Sequence, residues 1–200
     1  GHLLGGFATL SLLFLLSLRL SGRFVAQAVP ASLRYLAALG LILVIGQIAL
    51  GGWVSSNYAA VACGDFPTCH GQWLPAMDFA NGFHLTQHIG PNYLGGQLDS
   101  DARTAIHVTH RLGALLVLLT LLPLSWQLRK QGFSRLAGLL LLALALQICL
   151  GISNVLLQLP LAVAVAHNIG GACLLLVLVL LNYRLRLPAL PAPSSSLNSH

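Results

Sequence analysis

The chain has 200 residues, of which 56% are apolar and only 7% charged, with a net charge of +6. The apolar residues come in long blocks that a water-soluble domain of this size could not keep off its surface, which excludes a soluble globular enzyme. The few basic residues form no nucleic-acid-binding tail or aromatic platform, so nucleic acid is excluded as a partner and membrane lipid is expected.

Five apolar runs approach the ~20 residues needed to cross a bilayer core: 3–20, 33–54, 105–126, 136–157 and 161–183. The expected fold is an all-α integral membrane protein, an antiparallel four-helix transmembrane bundle with one additional transmembrane helix. Residues 1–20 form the extra helix, 21–32 a cytoplasmic loop, 33–183 the bundle with an outer loop at 55–102, and 184–200 a disordered Pro/Ser-rich tail. Arg19, Arg23 and Arg34 share one loop, Arg129, Lys130 and Arg135 another, and Arg184 with Arg186 follow the last span. That face is expected to be cytoplasmic or its equivalent. Asp65, Asp78, Asp99 and Asp101 all fall in the long loop on the opposite face.

The first run opens His2-Leu3-Leu4-Gly5-Gly6, which repeats His167-Asn168-Ile169-Gly170-Gly171 in the fifth. A histidine followed by two glycines at the outer start of a helix reads as the second half of a hairpin, so residues 1–20 are expected to close a hairpin whose first helix precedes this sequence. The second and fourth runs carry a clearer repeat. Gln47-Ile48-Ala49-Leu50-Gly51 lies near the outer end of one and Gln147-Ile148-Cys149-Leu150-Gly151 near that of the other; the run after the first carries His110, and the run after the second His167. Repeated hairpins suggest pseudo-symmetry.

His110 lies seven residues after Arg103 and His167 six after Leu161. At 1.5 Å per residue both imidazoles sit about 10 Å below their outer helix ends. Equal depth is what a shared ligand requires, and two axial histidines give a closed, low-spin haem suited to electron transfer. The plainer alternative is a pair of polar residues bonding neighbouring carbonyls, though ionisable groups inside a membrane are functional by default. His107 lies one turn above His110 on nearly the same helix face, so spacing does not choose between them. Its shallower position suits a haem propionate or a water at the outer mouth. Arg111 either pairs with a propionate through its planar fork or snorkels outward to the headgroups.

In the outer loop, Cys63 and Cys69 with five residues between them on the oxidising side read as a disulfide. It either staples the loop or serves as a thiol pair that passes electrons. Cys149 and Cys173 read as small apolar packing residues within spans. His70, His84 and His88 lack a clean zinc spacing.

Several motifs together resemble the haem A synthase family, over residues 1 to about 183: Gly51-Gly52-Trp53-Val54-Ser55-Ser56-Asn57-Tyr58-Ala59, the Cys63 to Cys69 loop with Asp65-Phe66-Pro67, Gly71-Gln72-Trp73-Leu74-Pro75, Ile106-His107-Val108-Thr109-His110-Arg111, and Leu159-Pro160-Leu161 leading to His167. The resemblance implies an eight-helix oxidoreductase of two similar halves that oxidises the C8 methyl of haem O to the formyl of haem A for terminal oxidase assembly, by successive hydroxylation to a geminal diol that loses water. This sequence resembles the second half plus the last helix of the first. The resemblance further implies that His110 and His167 are axial ligands of a haem b and that His2 belongs to the haem O site. It also implies a bacterial or mitochondrial inner-membrane location, and as partners haem O synthase, oxidase assembly factors, an electron donor that the sequence does not identify, and a second copy of the chain. The first half's other histidine and its acidic residue lie on helices absent from this sequence, so this stretch by itself is expected to be inactive. A bis-histidine b-type cytochrome that only carries electrons would show the same histidine pair, and a non-catalytic haem carrier would bind haem reversibly. A quinone-linked thiol oxidase would need a second outer cysteine pair.

Overall fold

A computed structural model of the chain describes residues 2–24, 27–84 and 98–187. These are helical, apart from loops and one isolated bridge between Cys69 and Gln72. The elements are α1 (His2–Ser21), α2 (Ala31–Ser56), a single 3-10 turn (Ala59–Val61), α3 (Phe79–Gly82), α4 (Ser100–Lys130), α5 (Ser134–Leu156) and α6 (Leu161–Leu185). Five of them, α1, α2, α4, α5 and α6, are long and apolar enough to cross a membrane. This is the all-helical membrane bundle that the sequence predicts.

The helix ends follow from local chemistry. Pro30 and Pro160 sit immediately before α2 and α6, where a missing N–H costs nothing because the first turn has no acceptor for it. Asp99 caps α4 by accepting from the Ala102 N–H at 3.1 Å. That cap starts α4 five residues before its apolar run and carries it outward beyond the expected span. Gly132, with φ of +83°, makes the tight reversal between α4 and α5 that a side chain would strain.

Packing places the helices in a ring. α2 and α5 each pack against both α4 and α6, while α4 and α6 stand diagonally opposite. α1 lies outside, mainly against α6, tied there by the Tyr183 hydroxyl donating to the Leu18 carbonyl. The bundle interior is built from fully buried side chains such as Leu121, Leu124, Leu140, Leu178 and Leu181. Asn182 donates across it to the Ala37 carbonyl at 2.9 Å, stitching α6 to α2. The outward surface is aliphatic too: Leu12, Leu119 and Leu142 are each about 60% exposed (66, 60 and 58%). An aliphatic exterior around satisfied helices is what lipid, not water, tolerates.

The alternation gathers Arg19, Arg34, Arg129, Lys130, Arg135 and Arg184 at one end of the bundle, and Asp65, Asp78, Asp99 and Asp101 at the other. Cys149 and Cys173 do not pack inside as expected; both lie on exposed helix faces. A small atom on the lipid side meets the same apolar requirement as one in the core. His88 and the tail from residue 188 lie outside the described residues.

Candidate haem site between diagonal helices

His110 projects from α4 and His167 from α6, the diagonal pair, so both can be presented to the bundle interior from opposite sides. Each ring occupies a niche built the same way. On the α2 side, the His110 Cε1 lies 3.3 Å from where a Cβ on Gly51 would stand. On the α5 side, the His167 Cε1 lies 3.2 Å from the corresponding point on Gly151. A side chain at either place would make the ring give way by a few tenths of an ångström, so glycine lets the rings stand at this close approach.

One turn before each glycine stands a glutamine. Gln47 Nε2 lies 3.1 Å from His110 Nδ1 and donates to the His110 carbonyl at 2.9 Å. Gln147 Nε2 lies 3.3 Å from His167 Nε2. The amide oxygens point to a second matched pair of glycines: a Cβ on Gly113 would run into Gln47 Oε1, and one on Gly170 into Gln147 Oε1. Leu50 and Leu150 close the same gaps, at 3.4 and 3.5 Å. The sequence repeat was visible as a pattern, but the glutamines and Gly113 were not singled out for the site, because their role comes from the ring that faces them on the neighbouring helix.

The residues fit a ligand held between the two rings. Among the described residues, the buried side-chain atoms left without a hydrogen-bond partner include Gln47 Oε1, Gln147 Oε1 and His167 Nδ1, all at these niches. Buried polar atoms are almost always paired, so three such atoms at two matched places mark a site that something completes. Imidazole nitrogens without competing carboxylates, in an apolar bundle, are the donor set of a bis-histidine haem. A cavity of about 850 Å³ lies elsewhere, between α1 and the α2–α6 face, and is lined by Phe7, Leu41, Leu175 and Asn182 among others.

The other sequence candidates have protein partners of their own. His107 is buried, and its Nδ1 donates to the Ala59 carbonyl at 2.8 Å, which pins the 3-10 turn to α4. Arg111 does not turn out to the headgroups. One guanidinium nitrogen donates to the carbonyls of Thr68 (2.8 Å) and Pro67 (3.4 Å), the other to those of Asp65 (2.8 Å) and Cys63 (3.4 Å). Its guanidinium carbon stands 5.6 Å from the centre of the Phe66 ring. Five donors in a rigid fork suit that cluster of backbone acceptors, so Arg111 holds the loop over the end of the bundle.

Cys63 and Cys69 form the disulfide that the spacing predicts. Within the loop, the Asp65 carboxylate accepts from Thr68 Oγ1 at 2.6 Å and from the amides of His70 and Gly71 at 2.8 and 3.0 Å. The Thr68 hydroxyl bond first, then the backbone amides, hold its pKa down at about 2. Asp78, which caps α3 through Asn81, is lowered for the same kind of reason. His70 is exposed, with Nε2 3.5 Å from Thr104 Oγ1, and His84 is exposed as well. No group of three or more His, Cys, Asp or Glu capable of holding a metal ion occurs among the described residues. His2 opens α1 on an exposed face, next to Leu3, whose Cδ2 lies 3.3 Å from the Cβ position of Gly52.

Fold and site together define a polytopic helical membrane protein with paired intramembrane histidines. Residues 1–179 match the model of the cytochrome oxidase assembly protein family COX15-CtaA, and the chain belongs to that family. It is 47% identical over 185 residues to the heme A synthase of Shewanella oneidensis, covering 91% of this chain and 56% of that protein. The heme A synthase of Methylobacterium radiotolerans is 34% identical over 74% of this chain and 38% of its own length. The heme A synthase COX15 of Arabidopsis thaliana is 31% identical over 76% of the chain and 32% of its own length. The chain thus spans about half, or less, of the length of these relatives.

Proposed function

We propose that this chain is the haem b-holding half of a heme A synthase, an oxidoreductase that converts the C8 methyl of haem O to the formyl group of haem A for oxidase assembly. The reading rests on one observation above others: the two histidine niches are duplicates, Gln47-Gly51-His110-Gly113 and Gln147-Gly151-His167-Gly170, on diagonal helices of a chain in this family. His110 and His167, one from each niche, would hold the haem, which would supply one-electron transfer. Gly51 and Gly151 let the rings stand close to their backing helices, and the apolar bundle keeps water from the site. His2 belongs to a haem O site completed by other parts of the protein, so methyl oxidation needs more than this stretch. Residues 1–20 are the last helix of a first half, and residues 33–183 form the second.

The basic end of the bundle faces the cytoplasm or matrix, following the charge bias of membrane proteins, and the disulfide loop faces the outer, oxidising side. Haem O synthase, oxidase assembly factors and an electron donor are the partners this role calls for.

The test is a reduced-minus-oxidised spectrum with pyridine haemochrome analysis, on the full-length protein and on His110→Ala and His167→Ala. The expected result is a low-spin b-type signal that either change abolishes or converts to high spin, with haem A present in wild-type extracts. Wild-type spectra in both variants would overturn the ligand assignment. A b-type signal with no haem A would make the protein an electron carrier instead.

A further inference from the structure

We propose that Gln47 and Gln147 are matched positioning residues, each orienting one histidine and setting how strongly that ring donates to iron. The inference deepens the haem reading above and rests on it.

The argument is one of hydrogen-bond satisfaction. Each glutamine amide lies against a ring nitrogen, Gln47 at 3.1 Å from His110 Nδ1 and Gln147 at 3.3 Å from His167 Nε2, which leaves Nε2 of His110 and Nδ1 of His167 for iron. In each niche the amide oxygen is buried and lacks a donor. A neutral imidazole that gives one nitrogen's lone pair to a metal carries its proton on the other nitrogen, which must then donate. The acceptor without a donor and the donor that ligation creates are neighbours in both niches. Turning the carboxamide over pairs them, and which end of an amide faces a ring is free to change with the ring's protonation. At Gln47 the turn gives up the bond to the His110 carbonyl, a helical carbonyl that keeps its own backbone partner.

The surroundings are shaped for this. Gly113 and Gly170 each leave the space that the amide oxygen occupies. The arrangement occurs twice, on different helix pairs, with glutamine four residues before the first glycine and histidine three before the second. Packing requirements alone would accept any residue of similar length; a carboxamide in both places selects hydrogen bonding. An acceptor on the far nitrogen makes the imidazole a stronger donor and favours oxidised over reduced iron. The two glutamines therefore lower the midpoint potential and hold the ring planes.

The test uses the full-length holoprotein with Gln47→Leu, Gln147→Leu and the corresponding Glu variants, measuring haem content and the midpoint potential by optical titration. Each Leu variant should bind haem roughly 10–100-fold more weakly. It should also raise the midpoint, by about 59 mV for every tenfold loss confined to the oxidised form. Each Glu variant, offering a stronger acceptor, should move the midpoint the other way. Unchanged midpoints in all four variants, with His110→Ala and His167→Ala losing the low-spin signal, would overturn this inference and leave the ligand reading standing. A low-spin signal that survives both histidine changes would overturn the two together.

Discussion

The α2–α4 and α5–α6 hairpins are two versions of one unit, and the protein supplies its own control experiment by differing between them. Both set a glutamine amide against the histidine ring and a glycine beside each, although Gln47 meets Nδ1 of His110 and Gln147 meets Nε2 of His167. Only the first has a long connection with a disulfide, an arginine directly after its histidine and a second histidine one turn before it. The second turns around through Leu157, Gln158, Leu159 and Pro160. What is shared is what a two-sided ligand needs; what is unshared is spent on the loop. His107 holds the Ala59 carbonyl and Arg111 holds four loop carbonyls, so neither requires a counterpart on α6.

The comparison breaks most readily at Arg111. Arg111→Ala leaves the carbonyls of Cys63, Asp65, Pro67 and Thr68 without their donor, and should cost about 2–4 kcal/mol. Arg111→Lys should recover little, since a point charge cannot reproduce the fork. Thermal unfolding in detergent measures the loss, while the low-spin haem spectrum should keep its shape. A switch to high spin in Arg111→Ala would mean that the unshared part also serves the ligand.

A sharper version tests the shared part. A Cβ at Gly113 or Gly170 meets a glutamine oxygen, so Gly113→Ala and Gly170→Ala should each cost about 1–3 kcal/mol and agree within about 0.5. Gly5 and Gly6 carry the same motif on α1 but face open space. In this chain Gly5→Ala and Gly6→Ala should instead stabilise the helix by up to about 1 kcal/mol, the propensity difference. The same unfolding measurement reports all four; unequal losses at Gly113 and Gly170 would show that the niches are not equivalent.

The five spans were legible because lipid demands apolar runs, and four of them end within about two residues of their helices; the ends of α4 were not legible. Hydropathy marks the hydrocarbon core, whereas α4 starts at Ser100 because Asp99 caps it there. The histidine pair was legible through the repeat. The different settings of His107 and His110 were not, since the two share a helix face and differ only in what lies opposite: Ala59 for one, Gln47 and Gly51 for the other. That the Arg111 guanidinium reaches the disulfide loop was not legible, because local sequence cannot show that the loop folds back over α4. The glutamines belong to the repeat, but a polar residue in a span acquires meaning only from its neighbour on another helix.

The smallest expected effect separates the hairpins by pH. The Asp65 carboxylate is held at about 2, below its ordinary 3.8, chiefly by the Thr68 hydroxyl and the Gly71 amide. A depressed carboxyl contributes stability that is complete above 3.8 and is lost as the pH falls through about 2. The loop of the first hairpin should therefore stay closed through mild acid and loosen only near pH 2. The turn between α5 and α6 has no carboxylate and should not respond. The rate at which a phosphine reduces the Cys63–Cys69 disulfide, taken relative to a small disulfide at each pH, follows the opening directly. It should be level down to about pH 3.8 and rise as the pH falls through about 2. Asp65→Asn should remove that pH dependence, because its amide cannot accept the same three bonds as a charge; an acid rise that persists in Asp65→Asn would assign the opening to another group.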